Sequence, residues 1–260
     1  MAHHCALITG ATSGIGASFA DVLPQATGLL LTGRDEARLA TMKEQFSVNG
    51  RKVVTVAADL ATVEGRECVI SAAESAGVDL LINNAGLGCY GAFASNAPET
   101  ERAMVEVNVV TLVVLTRALL PGMIARAKET GQNAGVIVVS SIAGFQALPY
   151  LGTYAATKAF DLLFAEALAS ELADSPVDVL ALCPGATRTN FFNRAGLAKS
   201  AMPYMIDSDT VARRGLAALG KRTIEVTDPI RRIIGAPALV VRALKRAVTA
   251  MVLRRMGRNR

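Results

Sequence analysis

A doubly wound α/β fold, with a parallel sheet of about seven strands and helices on both faces, is predicted by three features of this sequence. Short runs that are apolar almost throughout alternate with longer stretches of helical periodicity as far as about residue 220. Several of those runs lack the apolar–polar alternation of a half-exposed sheet, as expected of parallel strands buried on both faces. A glycine-rich turn, Gly10-x-x-x-Gly14-x-Gly16, joins the first run to the first helical stretch.

In chain order, strands are expected at 4–9, 28–32, 52–57, 79–83, 135–140, 177–183 and 223–227. Helices are expected near 15–23, 35–47, 62–76, 98–127, 154–173 and 208–220, with Pro24 and Pro121 marking helix ends or kinks. Strand–helix alternation of this kind builds one domain, taken as residues 1–236, with a substrate loop at about 187–220. No internal repeat, low-complexity segment or long linker interrupts it.

With 260 residues, 52% apolar side chains and a mean hydropathy of +0.37, the chain can bury a large core. The four cysteines, Cys5, Cys68, Cys89 and Cys183, have no CxxC spacing, so reduced thiols of a cytoplasmic protein are expected rather than a disulfide or metal framework. No secretory leader is expected, because a strand-like run begins by Cys5. His3 and His4 read as a solvated N-terminus rather than a metal site. Residues 1–210 carry 14 basic and 20 acidic side chains, a net of −6, whereas residues 211–260 carry 13 and 2, a net of +11. Basicity is therefore a C-terminal property.

Tyr154 and Lys158 stand one helical turn apart, so phenol and ammonium share a face. A tyrosine titrates near 10; a cation one turn away favours the phenolate and lowers that value. The pair reads as a tuned general acid/base, with Ser141, thirteen residues upstream, as a partner for a substrate oxygen. At the other end, the glycine turn permits close backbone approach, and the helix that follows points its N-terminus at any pyrophosphate. No lysine follows Gly16, which disfavours a P-loop. Strand two ends Leu31-Thr-Gly-Arg34, so Gly33 stands where an acid would meet the ribose hydroxyls of NAD, and Arg34 suits the 2′-phosphate of NADP. Ser13 adds a hydroxyl for the same phosphate; the bland alternative is a solvated Arg34 beside Asp35.

Seven pieces in order, Thr9-Gly10…Gly14-Ile15-Gly16, Asp59-Leu60, Asn83-Asn84-Ala85-Gly86, Asn108, Ser140-Ser141, Tyr154-x-x-x-Lys158 and Pro184-Gly185…Thr189, make the chain resemble the short-chain dehydrogenase/reductase family over nearly its whole length. The resemblance implies a Rossmann-type fold, NADP(H) as cofactor and interconversion of a carbonyl and a secondary alcohol. It implies a catalytic tetrad of Asn108, Ser141, Tyr154 and Lys158. Asp59 and Leu60 would approach the adenine, Asn83, Asn84, Ala85 and Gly86 would line the cofactor cleft, and Thr187 and Thr189, after Pro184-Gly185, would hold the nicotinamide carboxamide. Ser141 is preferred over Ser140 on its spacing. A homodimer or homotetramer is the expected assembly, with no metal and no nucleic acid.

The chain departs from the family's pattern near its end, where Asp228-Pro229 and a basic apolar stretch replace a glycine-rich segment. Within 237–252, Val240, Leu244, Ala247, Val248 and Met251 share one helical face, and Arg242, Lys245, Arg246 and Thr249 the other. A basic amphipathic helix over 237–260 packs on the core or a second subunit, or lies on an anionic membrane surface. Phe145, Leu148, Tyr150, Phe191, Phe192, Met202, Tyr204 and Met205 are expected over the site. They favour an apolar ketone, acyl or steroid-like substrate, or simply pack the loop. Two other functions remain on the same fold: a non-catalytic NADP(H)-binding sensor and a membrane-surface protein.

Overall fold

The computed structural model of the chain describes residues 3–197, 204–228 and Arg242. Its elements are β1 (Cys5–Thr9), α1 (Gly14–Val22), β2 (Gly28–Gly33), α2 (Glu36–Phe46), β3 (Val53–Ala57), α3 (Val63–Ala76), β4 (Leu80–Asn83), α4 (Pro98–Val105), α5 (Thr111–Thr130), β5 (Ala134–Val139), α6 (Gly152–Glu171), β6 (Val177–Cys183), β7 (Thr187–Arg188), α7 (Phe191–Arg194), β8 (Ile206–Asp207), α8 (Ser208–Ala218) and β9 (Ile224–Val226). Seven strands form one parallel sheet in the order β3-β2-β1-β4-β5-β6-β9. The predicted doubly wound sheet is present, and each of the seven expected strands lies within two residues of its observed bounds.

Neighbouring residues of a strand leave it on opposite faces. Leu7, Leu30, Leu81, Val136 and Val179 point to one side, where Val69 of α3, Leu115 of α5 and Leu162 of α6 meet them. Ile8, Leu31, Ile82, Ile137 and Leu180 point to the other, against Phe19 of α1, Leu39 and Met42 of α2 and Val211 of α8. Both faces are covered, so β1, β2, β4 and β5 are buried at every residue. Each fully buried side chain of this kind stabilises the fold by about 1.5–3 kcal/mol.

Helix ends follow local chemistry. Asp35 Oδ1 accepts from Arg38 N (2.9 Å) and Thr62 Oγ1 from Gly65 N (3.0 Å), capping α2 and α3. Pro24 follows the last turn of α1, as expected. Pro121 does not end its helix, which continues to Thr130. Pro121 and Arg117, whose carbonyl loses its helical donor, both lie on the exposed face, so water can serve that oxygen. α4 and α5 form one rod across a five-residue π turn, Glu106–Val110. The rod, Pro98–Thr130, reaches a mean hydropathy of 1.8 and is long and apolar enough to cross a membrane on composition alone. Here its apolar side chains Leu112, Leu115, Leu119 and Met123 are buried against the sheet.

Within 187–220, β7 pairs with β8, and the expected helix at 208–220 is present as α8, which packs on α1, with Ser18 Oγ donating to Ser208 Oγ (2.8 Å). One expectation needs correction. His3 is not solvated; it is 8% exposed beside Asp79, and burial holds its imidazole below the ordinary value despite that carboxylate. Most of the expected helix at 237–260 lies outside the described residues. Its Arg242, assigned above to the polar face, pairs with the buried Glu166 of α6 and covers the Phe145 ring (5.8 Å). Phe145 therefore serves the core and this contact. Arg242→Ala should lower the thermal midpoint by a few degrees, about 1–3 kcal/mol, because it removes a charged partner of a buried carboxylate and the cover of the Phe145 ring. An unchanged melting curve would refute the anchoring role.

Candidate active site

The strand order reverses between β1 and β4, and in such sheets ligands sit beyond the carboxyl ends at that point. The predicted residues gather there: Gly10–Gly16 after β1, Asn83–Gly86 after β4, Ser141 after β5 and Pro184–Thr189 after β6. Gly14 has φ +56, and a Cβ on it would lie 2.9 Å from Thr189 Cγ2. A Cβ on Gly16 would lie 2.4 Å from Gly10 O. The turn is therefore bare backbone pressed under the Thr189 segment. Ser13 stands at the N-cap of α1 but makes no side-chain cap, and the first turn holds no acid. That N-terminus keeps its positive end open, as a pyrophosphate requires. Ile15 packs on the core behind it.

Two groups stitch the turn to β4. Thr9 Oγ1 accepts from Asn84 N and Ala85 N (both 2.9 Å), and Asn84 Nδ2 donates to Thr9 O (2.8 Å) and Gly10 O (3.3 Å). Asn83 turns the other way: its Nδ2 donates to Thr116 Oγ1 of α5, so its side chain faces the interior rather than the cleft. The stitching by Thr9 and Asn84 was missed because spacing shows backbone shape and not side-chain direction.

Arg34 is exposed at the end of β2, and Asp59 is exposed after β3, where its Oδ1 caps Ala61 N (3.0 Å). Leu60 is buried, and its carbonyl accepts from Thr111 Oγ1 (2.7 Å). Gly33 has a reason of its own: a Cβ there would lie 2.8 Å from Thr12 Cγ2. Arg194 Nη2 of α7 reaches Ser13 Oγ (3.3 Å), bringing a second guanidinium to the glycine turn.

Of the two serines, Ser140 is buried and donates to Lys158 O (2.7 Å), whereas Ser141 is half-buried, its hydroxyl donating to Pro184 O (3.5 Å) and lying near enough to the Tyr154 phenol to act on it. Ser141 also caps the short 3-10 turn Ile142–Phe145, accepting from Ala143 N (3.1 Å). Lys158 Nζ is buried and donates to Val139 O and Asp161 Oδ2, both at 2.9 Å. Burial raises the Tyr154 phenol above its ordinary value; Lys158 and Ser141 pull it down without prevailing. The sequence suggested a net lowering because it reveals the cation but not the desolvation. Burial works to lower Lys158, and Asp161 and Tyr154 together outweigh it, so the ammonium is held above its usual value.

Asn108 sits in the π turn. Its Oδ1 accepts from Leu87 N (2.8 Å), and its Nδ2 donates to Leu87 O (3.0 Å) and Thr157 Oγ1 (2.9 Å). The side chain is thus a satisfied buried amide that clamps the segment after β4 onto α6 beside Tyr154. Thr187 Oγ1 donates to Gly185 O (2.9 Å), and Thr189 Oγ1 accepts from Phe191 N (3.2 Å). The Ser141 segment is tied to this strand by Ile142 N donating to Pro184 O (2.9 Å).

Aromatic rings form the outer wall. Phe191 lies 5.1 Å from Tyr154 and fills the space a side chain at Gly88 would need. Tyr150 takes φ +66, a strained value for a tyrosine, with its carbonyl held by Gly91 N (2.9 Å) and its ring 5.8 Å from Tyr90. Tyr204 is exposed, Phe192 is buried below, and Leu148 and Met205 are half-buried. Met202 lies outside the described residues.

The chain is similar to known proteins. Among curated proteins, the chain is 34% identical over 244 residues to "Dehydrogenase/reductase SDR family member 7B" of Bos taurus, covering 86% of this chain and 73% of that one. Among solved structures it is similar to a short-chain dehydrogenase from Sphingobium yanoikuyae in complex with NADPH (TM-score 0.78, 27% identity, covering 93% of this chain and 95% of that one). It is also similar to a 3-ketoacyl-(acyl-carrier-protein) reductase from Brucella melitensis complexed with NADH (TM-score 0.75, 27% identity, covering 86% and 96%). The family model described as short chain dehydrogenase matches residues 4–200, which hold the glycine turn, the Ser141–Tyr154–Lys158 cluster and the Pro184–Thr189 segment. With those residues assembled at one sheet edge, the chain belongs to the short-chain dehydrogenase family of oxidoreductases.

Proposed function

We propose that the protein is an NADP(H)-dependent oxidoreductase that interconverts a carbonyl and a secondary alcohol. The observation that carries this reading is the Tyr154 phenol, beside the Ser141 hydroxyl and one helical turn from the buried Lys158, near the bare glycine turn. When bound, the nicotinamide supplies or accepts a hydride at the substrate carbon. In reduction, Tyr154 gives its proton to the carbonyl oxygen, while the Ser141 hydroxyl stabilises the charge developing there. Lys158 keeps the phenolate product tolerable, and Asn108 keeps the Leu87 segment and α6 in register around the tyrosine. The uncapped N-terminus of α1 would receive the pyrophosphate, and Arg34, Ser13 and Arg194 would supply donors for a 2′-phosphate.

The rings of Phe191, Tyr150, Tyr90 and Tyr204 favour an apolar ketone, acyl or steroid-like substrate. A panel of such ketones and alcohols, run with NADPH/NADP⁺ and NADH/NAD⁺ in parallel, tests both parts. Turnover with none of them would favour a nucleotide-binding sensor. Arg34→Ala should weaken NADPH binding by about tenfold or more while sparing NADH, since only the former loses a charge-assisted contact. Equal losses for both cofactors would overturn the assignment to the 2′-phosphate.

The expected homodimer or homotetramer is supported by α6, where Phe160 and Leu163 are exposed and Phe160 stacks on Phe164 (5.9 Å). A monomer mass by light scattering would overturn it. A cytoplasmic location rests on the four free cysteines, and fractionation to the membrane would refute it.

A further inference from the structure

Asp161 lies one residue short of a turn beyond Lys158 on α6, is 2% exposed, and closes an ion pair of 2.9 Å with it. Its Oδ2 accepts a hydrogen bond from Lys158 Nζ; its Oδ1 is buried and finds no hydrogen-bond partner among the described residues. Asp161 lines a cavity of about 10 Å³ together with Asn83, Asn108 and Thr111. Asn83 Oδ1 is likewise buried without a partner among the described residues. The space suits one water bridging two acceptors. A carboxylate placed this deep is costly unless paired, and its partner is the lysine on which the Tyr154 chemistry depends.

We infer that Asp161 is a positioning residue for that chemistry: it anchors the Lys158 ammonium beneath the cleft and cancels part of its field at the Tyr154 phenol. A lone ammonium would act on the phenol as a full charge, whereas the Lys158–Asp161 pair acts as a dipole. Among the described residues, the charged and titratable neighbours are few. Tyr154 is met by Ser141, Lys158 and Asp161. On β6, the Cys183 thiol is pushed up to about 12 by burial and stays neutral, and Glu166 next to it is paired with Arg242. Asp161 is thus the anion that opposes Lys158. The sign follows: the pair keeps Tyr154 protonated to higher pH, which favours donation of a proton to a carbonyl over removal of one from an alcohol.

The inference rests on Tyr154 as the acid/base, and its test needs no substrate. Tyrosinate absorbance is titrated in the parent protein, in Asp161→Asn, and in each with Tyr154→Phe, so that the difference isolates Tyr154 among the four tyrosines. In Asp161→Asn the Tyr154 transition should fall by about one pH unit. The rising limb of alcohol oxidation with pH should fall with it. An unmoved transition in folded Asp161→Asn would overturn the inference and leave Asp161 as a structural partner of the lysine. Should that variant not accumulate, Asp161→Ser, which leaves room for water, carries the same test. Loss of the fold in both would equally assign the residue to structure alone. Should Tyr154→Phe keep its turnover, the functional reading fails, while the titration still reports whether the two groups are coupled.

Discussion

Tyr154→Phe should lower turnover by about 10²–10⁴-fold in either direction, the range that a positioned acid/base contributes. Cofactor affinity should stay within about twofold, because the glycine turn, the α1 N-terminus and Lys158 are untouched. The ring keeps its 5.1 Å contact with Phe191, so the wall of the cleft should stand. What disappears is the hydroxyl that meets Ser141 and would exchange a proton with the substrate oxygen. Steady-state kinetics together with a cofactor titration by nicotinamide fluorescence separate the two effects. Near-normal turnover would remove Tyr154 from the chemistry.

Gly16→Ala should cost cofactor affinity about 100-fold and stability about 1–3 kcal/mol, as for overpacking at a site that cannot yield. The added carbon would meet Gly10 O at 2.4 Å and Asn84 Nδ2 at 2.5 Å. A flexible side chain could retreat, but Gly10 O is backbone and Asn84 is already bonded to it and to Thr9 O. Relief requires the turn itself to lift from β4, which removes the cradle. Calorimetric titration of the nucleotide and thermal melting check both numbers. Affinity within a few-fold of the parent would show that the turn adapts.

The fold was legible because parallel strands buried on both faces are written as continuous apolar runs, and because each is followed by a helix of its own period. The elements of the site were legible for a related reason: Gly14 is dictated by its positive φ, Gly16 by the approach of the Gly10 carbonyl, and Tyr154 and Lys158 by one helical turn. Side-chain direction was not. Asn83 and Asn84 are adjacent and chemically identical, yet one faces α5 and the other the glycine turn, a choice made by where Thr116 and Thr9 sit. Desolvation was equally invisible: the cation beside Tyr154 can be counted in the sequence, but the burial that outweighs it cannot. Asp161 escaped notice because a carboxylate after a helical lysine is usually a solvated pair; only the packing of α6 on the sheet makes it a buried one.

The π turn at Glu106–Val110 has a consequence for insertions and deletions. Such a turn holds one residue more than an α-helical turn, so the helix after it is re-phased by about 100°. Leu112, Leu115 and Leu119 meet the sheet in the phase set after that extra residue. A chain one residue shorter here would have an unbroken and locally better-bonded helix, but it could not keep both Asn108 on Leu87 and the leucines on the core. The irregular turn is therefore a length constraint, tolerating substitution at its exposed positions far more readily than any change in residue count.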